Sequence, residues 1–308
     1  MKPPFDISGD LDTPVSAFLK LHAFRPTFLL ESVEGGERLS RYSFIGFGDA
    51  SFQFRLDERG QWLGAEHKPL PANQAQLLSA WRVALAKAPR PTAPGAGPGF
   101  PLAGGLVGYS SYDVVRWFER FKARPASASS VPDMHYVASS SLLVFDHLTR
   151  GIALLHAGSE SERQSLRREV IAALRGAVPT PRASDGFSLV EASMSKDHFL
   201  DGVARTREYI AAGDVYQLVL SVRFSGRHSV DPFDAYRALR LINPSPYMYY
   251  LALGDIKVVG SSPEALVKLS GGHAQLRPIA GTRPRATDEL EDRRREQELL
   301  RSEEHTSE

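Results

Sequence analysis

The stretch from residue 247 to residue 276 constrains the fold more than any other part of the chain. It contains four short segments rich in apolar residues, YMYYLAL, IKVVG, ALVKLS and HAQL. Tight turns at Gly254-Asp255 and at Ser270-Gly271-Gly272 connect them. Connections this short link antiparallel neighbours, whereas parallel strands need a longer crossover. We therefore expect an α+β fold of layered antiparallel sheets with flanking helices, and not a doubly wound parallel sheet.

Three other segments are predicted to be strands. TFLLES, at residues 27–32, is typical of a buried strand. SFQFRLDERGQWL alternates apolar and polar residues and turns at Glu58-Arg59-Gly60. In DVYQLVLSVRF, at residues 214–224, alternate apolar residues share one face of a predicted strand.

Helix boundaries are marked by capping residues. Thr13 and Pro14 predict an N-cap followed by proline at the first helical position. Ser195 predicts the N-cap of a second helix, which ends before Gly213. A short helix is expected to begin at Pro232. The apolar face of the helix after Ser195 is predicted to carry Phe199, Val203 and Ile210.

Segments rich in Pro, Gly, Ala or Ser divide the chain into regions. They lie at residues 87–101, 124–132 and 178–186. We expect an N-terminal region, a second region that begins after the third break, and a short tail, with bounds 1–180, 187–300 and 301–308.

Composition excludes several classes of function. The 37 Lys+Arg nearly balance the 36 Asp+Glu, so a net charge of +1 gives no field that favours nucleic acid or a membrane surface. The absence of cysteine excludes disulfides and thiolate chemistry. The start MKPPFDISGDLD lacks the pattern of a signal peptide, and no apolar run approaches the roughly 20 residues of a membrane span. A cytoplasmic protein with a small-molecule partner is expected.

Some apparent motifs lack the context that their chemistry needs. The glycines of GAGPGF lie in a proline-rich linker, and those of GGLVG lead into an apolar strand, so neither is a phosphate loop. The nine histidines show no zinc spacing. Arg293, Arg294 and Arg295 lie on a predicted helix that also holds Glu289, Glu291, Glu296 and Glu298, which indicates a solvated face whose charges compensate each other.

Seven longer strings, in order, resemble anthranilate synthase component I, the large subunit of a chorismate-using enzyme. The resemblance extends over about residues 28–300. The strings are LLES (29–32), RYSFIG (41–46), GGLVGYSSYDVVRWFE (104–119), YIAAGDVYQLVLS (209–221), NPSPYM (243–248), GSSPE (260–264) and RPIAGTRPR (277–285).

The resemblance implies two ligand sites. A pocket for tryptophan, the feedback inhibitor, would be lined by Glu31, Ser32, Arg41, Pro246, Tyr247 and Met248. A carboxylate there suits an ammonium group, and Tyr and Met suit an indole ring. Other interpretations stay open, because Glu31 and Ser32 could simply end a strand and Arg41 could pair with a surface acid. Gly281 and Thr282 would contact chorismate, where glycine permits close backbone approach.

The implied reaction adds ammonia to chorismate and eliminates pyruvate to give anthranilate, the first step of tryptophan biosynthesis. Ammonia would come from a separate glutamine amidotransferase subunit. A magnesium ion held by two glutamates would bind the substrate carboxylate. The first alternative is aminodeoxychorismate synthase component I. That enzyme commonly has a nucleophilic lysine at the position where this chain has Ala280, which argues against it. An isochorismate or salicylate synthase is a more distant alternative.

The chain departs from the family pattern at three places. Val222 replaces a usual glutamine, and Ala286 replaces a usual glycine. After Leu300 the chain reads RSEEHTSE instead of the family's continuation. We therefore expect a truncated subunit with a non-native tail, no catalytic residue, no metal ligand and no activity of its own. A tryptophan-binding module without catalysis is the remaining alternative.

Overall fold

A computed structural model describes residues 4–32, 41–48, 52–97, 100–120, 131–180, 186–276 and 283–301. The strands there are β1 (Ile7–Ser8), β2 (Phe28–Glu31), β3 (Tyr42–Phe47), β4 (Gln53–Asp57), β5 (Gly60–Leu63), β6 (Glu66–Lys68), β7 (Val107–Ser110), β8 (Met134–Val137), β9 (Ser141–Asp146), β10 (Gly151–His156), β11 (Glu191–Ala192), β12 (Phe224–Ser225), β13 (Tyr247–Leu253), β14 (Ile256–Ser262), β15 (Lys268–Ser270) and β16 (His273–Gln275). The α-helices are α1 (Pro14–Lys20), α2 (Gln74–Lys87), α3 (Glu160–Leu174), α4 (Lys196–Ala212), α5 (Pro232–Ile242) and α6 (Glu289–Arg301), and 3₁₀ helices lie at His22–Phe24 and Tyr112–Trp117.

Two antiparallel sheets form the body of the fold. The larger has seven strands in the order β1-β10-β9-β3-β2-β13-β14, and the smaller has five in the order β6-β5-β4-β8-β7. All neighbouring strands in both sheets are antiparallel. The predicted hairpin turns are present, since Leu253 pairs with Ile256 and Ser270 pairs with His273. The expected α+β class is confirmed.

Three hydrophobic cores separate the layers. One face of the seven-stranded sheet, including Leu29 and Ile45, packs against α1, α3 and α5. The other face, including Phe28 and Val144, packs against the five-stranded sheet. A third core lies between the five-stranded sheet and α2. The order of layers is therefore helices, sheet, sheet and helix.

The predicted helix starts are confirmed in atomic detail. The Thr13 hydroxyl accepts from Ser16 N at 3.1 Å within a capping box, and Pro14 is the first helical residue of α1. Ser195 caps α4 through His198 N, and Gly213 ends it with a positive φ. The arginines of α6 pair with glutamates of the same helix, as a solvated face requires.

The predicted strand at residues 214–224 is wrong except at its end. Only Phe224 and Ser225 pair, with Ala192 and Glu191 respectively, and Tyr216 is 94% exposed. Alternation makes a segment suitable for a sheet, but a strand also needs a neighbour. Within the described part of the chain no strand pairs with residues 214–222, and the pairing with β11 begins at Arg223, whose carbonyl oxygen accepts from Ser193 N at 2.7 Å. The apolar face of α4 is likewise exposed at Val203 and Ile210.

The two residues that differ from the family pattern within the described chain, Val222 and Ala286, are accommodated without strain. Val222 is half-buried at the end of the unpaired segment 214–222. Ala286 does not have a positive φ, and its N–H donates to Asp292 Oδ1 at 2.9 Å. An alanine in place of glycine therefore strains nothing at this position.

The region boundary proposed near residues 180–187 stays a prediction. Strands β13 and β14 belong to the second region by sequence, yet they extend the sheet built by the first. Among the described residues no helix is long and apolar enough to cross a membrane.

Gly108 provides a test of the strand packing. A Cβ on Gly108 would lie 2.0 Å from His135 O and 2.6 Å from Tyr136 Cα, both in the paired strand β8. Backbone atoms cannot move aside as a side chain can, so Gly108→Ala should lower the free energy of unfolding by about 2 kcal/mol. Gly97→Ala is the matched control, because among the described residues no atom beyond its chain neighbours lies within 4 Å of a Cβ placed there. Urea titration that finds both variants as stable as the parent would contradict this register.

Candidate ligand-binding site

The end of β2 lies beside the start of β13. Glu31 and Met248 are Cα partners in this antiparallel pair. Because side chains alternate along a strand, Glu31 shares the face of Leu29, which carries the first core. Met248 belongs to the same core and is buried. The structure thus brings together one residue from LLES and one from NPSPYM.

Helix α5 covers this pair. Pro232 is its first residue, and the Asp231 carboxylate accepts from Phe233 N at 2.8 Å to cap it. Phe233 and Tyr236 are buried in the first core, which fixes the helix on the sheet. Arg240 lies one turn after Tyr236 and therefore faces the same side of the helix.

The Glu31 carboxylate is buried and accepts three hydrogen bonds. Tyr236 Oη donates to Glu31 Oε2 at 2.5 Å. Arg240 donates from Nε to Oε2 at 3.1 Å and from Nη2 to Oε1 at 3.4 Å. Burial and the neighbouring charge of Glu31 raise the pKa of Tyr236, so this hydroxyl stays a donor at neutral pH. The Glu31 carboxylate therefore has all its hydrogen-bond partners within the fold. Arg240 binds it through two N–H groups and is the more exposed member of the pair.

Arg41 has a different partner. Its Nε and Nη2 donate to the two oxygens of Asp146 at 3.2 and 2.9 Å, and its guanidinium lies over the ring of Tyr42. Burial would raise the pKa of Asp146, but hydrogen bonds from Arg41 and from Leu148 N outweigh it, and the pKa lies below its usual value. Asp146 lies two residues beyond Val144 and therefore on the second face of the sheet. The Arg41 guanidinium is thus tied to the face opposite Glu31.

The other residues proposed for the tryptophan pocket are spread around this corner. Ser32 and Pro246 are half-buried. Tyr247 is 45% exposed and, by alternation, faces away from Met248. Of the six proposed residues, the side chains of Glu31 and Met248 are the two that the strand register brings to one face.

The loop between α5 and β13 is tied to β14. Ser261 Oγ donates to Asn243 O and lies 2.7 Å from Ser245 Oγ, and Ser245 is buried. The loop that carries NPSP is therefore fixed both to the helix before it and to the strand beside it.

Sequence reasoning missed four polar residues at this corner. They are Ser43, His147, Tyr236 and Arg240, of which buried Ser43 hydrogen-bonds with His147 Nε2 at 2.8 Å. A signal for two of them was available, because Tyr236 and Arg240 are four residues apart in a helix that leads directly into NPSPYM. No comparable spacing links Ser43 to His147, which meet only through strand pairing.

The predicted chorismate residues Gly281 and Thr282, together with Ala280, lie outside the described residues. In the part of the chain that is described, no three His, Asp or Glu side chains converge as they would around a metal ion.

Comparison with known proteins places the chain in a family. A profile described as chorismate binding enzyme matches residues 25–308. The chain belongs to this family of chorismate-binding enzymes. It is 41% identical to anthranilate synthase component 1 of Thermus thermophilus over 97% of this chain and 64% of that protein. It is 37% identical to the Pseudomonas aeruginosa protein of the same name, over 96% and 62% of the two chains.

Solved structures of chorismate-using enzymes share the fold. Anthranilate synthase component I from Streptococcus pneumoniae superposes with a TM-score of 0.68 at 25% identity, over 98% of this chain and 65% of that one. A menaquinone-specific isochorismate synthase from Escherichia coli gives a TM-score of 0.52 at 12% identity, over 94% of this chain and 56% of that one. This family member thus spans less than two thirds of the length of the relatives it matches, between 56% and 65%.

Proposed function

We propose that this chain is the larger part of an anthranilate synthase large subunit, which converts chorismate and ammonia to anthranilate and pyruvate. One observation carries the proposal, namely the 41% identity over 97% of the chain to a protein named anthranilate synthase component 1. Ala280 adds support, since alanine cannot serve as a nucleophile and the attacking amine must then come from outside the protein. Glutamine amidotransferase is the proposed source of this ammonia.

Regulation by tryptophan is the second part of the proposal. A bound amino acid needs partners for its charged groups and an apolar surface for its side chain. The corner of Glu31, Arg240 and Met248 brings two charged groups and an apolar side chain together at one place, and this juxtaposition supports the proposal. It lies between two sheet strands and a helix that packs on them, so a ligand there would contact several elements at once.

Magnesium is proposed only for the whole protein. No cluster of described residues fits a metal ion, so the described residues supply no ligand set for it. We likewise propose that Gly281 and Thr282 contact chorismate. We expect no turnover from the 308 residues alone, because they span 64% of the Thermus relative.

Product identity tests the catalytic proposal. Residues 1–300 of this chain, fused to the last third of the Thermus protein, should release anthranilate and pyruvate from chorismate, magnesium and an ammonium salt. The unfused 308-residue chain, assayed in parallel, should release neither. Release of aminodeoxychorismate or isochorismate by the fusion would overturn the proposed reaction, and turnover by the unfused chain would overturn the expectation that its site is incomplete.

A further inference from the structure

Helix α4 carries an apolar stripe that no other described element buries. None of its 17 residues is buried. Phe199, Val203 and Ile210 are spaced by four and seven residues and so share one side of the helix. Val203 is nevertheless 37% exposed and Ile210 is 44% exposed. Because a helix of this length draws most of its stability from packing such a side against a neighbour, α4 lacks a partner among the described residues.

The unpaired segment 214–222 lies beside this helix. A Cβ placed on Gly202 of α4 would lie 2.8 Å from Leu220 Cδ2, so the Leu220 side chain rests directly on α4. The segment alternates apolar and polar residues as a strand does, yet no described strand pairs with it and Val219 is 83% exposed. The stripe of α4 and residues 214–222 therefore form one surface, the α4 surface, which lacks an apolar cover and a neighbouring strand.

Other elements of the second region also lack support. Strands β11 and β12 form a two-stranded ladder apart from both large sheets, as do β15 and β16, and all residues of these four strands are exposed. Ladders this short are marginally stable alone. In the first region, by contrast, α1, α2 and α3 all bury residues. The missing packing is thus concentrated in the second region, outside α5, β13 and β14.

The chemistry of the α4 surface indicates the kind of occupant. An apolar helix stripe beside an unpaired strand resembles a domain core cut in half, whereas surfaces that meet a transient partner are about as polar as the rest of a protein. The chain matches the Thermus protein over 97% of its own length but over 64% of that protein, so about a third of the relative has no counterpart here. A neighbour in the same polypeptide is present at high effective concentration, which favours docking on such a surface.

We propose that the α4 surface is the docking site for the remaining third of the full-length subunit. That third covers Val203 and Ile210 with apolar side chains and adds a strand beside residues 214–222. The segment 214–222 becomes a strand only when this neighbour is present. The inference rests on the proposal that the chain is the larger part of a longer subunit.

Hydrogen exchange tests the docking by comparing the unfused 308-residue chain with the fusion of residues 1–300 to the last third of the Thermus protein. In the unfused chain, amides of residues 200–222 should exchange within about tenfold of the rates of an unstructured peptide, because few packed contacts oppose opening. In the fusion they should exchange about 100-fold more slowly. Amides of β9 and β10, which lie in the middle of the large sheet, should be equally protected in both proteins.

A second fusion, to the last third of the Pseudomonas aeruginosa protein, guards against a junction that does not fold. Protection of residues 200–222 in either fusion supports the inference. Exchange as fast in both fusions as in the unfused chain would overturn it.

Variants locate the effect on the stripe. Val203→Lys combined with Ile210→Lys should leave the urea midpoint of the unfused chain unchanged, because both side chains already meet solvent. In the fusion the same pair should raise the exchange rate of residues 214–222 by about tenfold or more, because two charges would be buried without partners. Asp201→Lys combined with Glu208→Lys is the matched control, since these exposed residues are also seven apart but lie on the opposite side of α4. The control should change exchange by less than about twofold; an equal loss in the control, or none in the stripe variant, would contradict docking on the stripe.

Sedimentation and product analysis separate this inference from its rivals. A monomeric fusion with a protected α4 supports the proposed occupant. An unfused chain that dimerises and protects α4, beside a fusion that does not, would make a second copy the occupant and overturn the inference. A fusion that protects α4 but releases no anthranilate overturns the proposed reaction and leaves the docking intact, whereas one that releases anthranilate without protecting α4 overturns the docking alone.

Discussion

Replacing Phe233 with alanine is expected to lower the free energy of unfolding by about 4 kcal/mol, a typical cost for deleting a buried aromatic ring. Phe233 is 4% exposed and stacks on Phe18 with ring centroids 4.2 Å apart. Its ring also meets Tyr250 edge-on at 5.1 Å. The residue therefore joins α5 to α1 and to β13, and its loss leaves a cavity at the point where three elements meet.

The same helix supplies the control for this substitution. Leu241 is 81% exposed, so Leu241→Ala should change stability by less than about 0.5 kcal/mol. Urea unfolding followed by circular dichroism measures both variants. A Phe233→Ala variant as stable as Leu241→Ala would mean that α5 does not pack on the sheet as described, and the site built on Arg240 would lose its support.

The second large effect is expected from His135 when the pH is lowered. This histidine is buried in β8, its Nε2 hydrogen-bonds with Gln53 at 2.9 Å, and its Nδ1 has no partner in the described structure. Burial, with a smaller contribution from the charge of Arg55, lowers its pKa from 6.5 to about 4. The unfolded chain therefore binds a proton between these pH values that the folded chain does not.

The direction of the pH effect follows from the linkage between proton binding and folding. Stability that depends on neutral His135 is fully present above pH 6.5 and is lost progressively as the pH falls toward 4, by about 3 kcal/mol in all. His135→Gln keeps a hydrogen-bonding group and cannot titrate, so its unfolding free energy should fall by that much less between pH 7.5 and pH 4. Parallel pH curves for the parent and the variant would contradict a neutral buried His135.

Local signals in the sequence predicted several helices and hairpins because those elements are determined locally. Thr13-Pro14 and Ser195 begin helices through capping geometry, and Gly254-Asp255 closes a hairpin through its turn. The strand proposed at residues 214–224 failed for the complementary reason. Its alternation is a local property, but a strand also depends on a neighbour that local sequence does not reveal.

The site residues were also predicted only in part. The resemblance singled out Glu31 and Met248, and the register of β2 and β13 places them side by side. It did not reveal that Tyr236 and Arg240 occupy the Glu31 carboxylate, because that contact depends on how α5 crosses the sheet. It also left open the partner of Arg41, which is the buried Asp146. Which side chains meet across a long sequence separation depends on how the elements pack, and the spacing of residues along the chain does not predict that packing.

Hydrogen exchange with and without L-tryptophan tests the central claim most directly. If the corner of β2, α5 and β13 is the regulatory site, saturating tryptophan should slow amide exchange in peptides covering residues 28–32 and 240–248. Peptides covering the β4–β5 hairpin, residues 53–63, should be unchanged and serve as the internal control. Protection confined to other parts of the chain, or no protection in a cooperatively folded protein, would contradict the account.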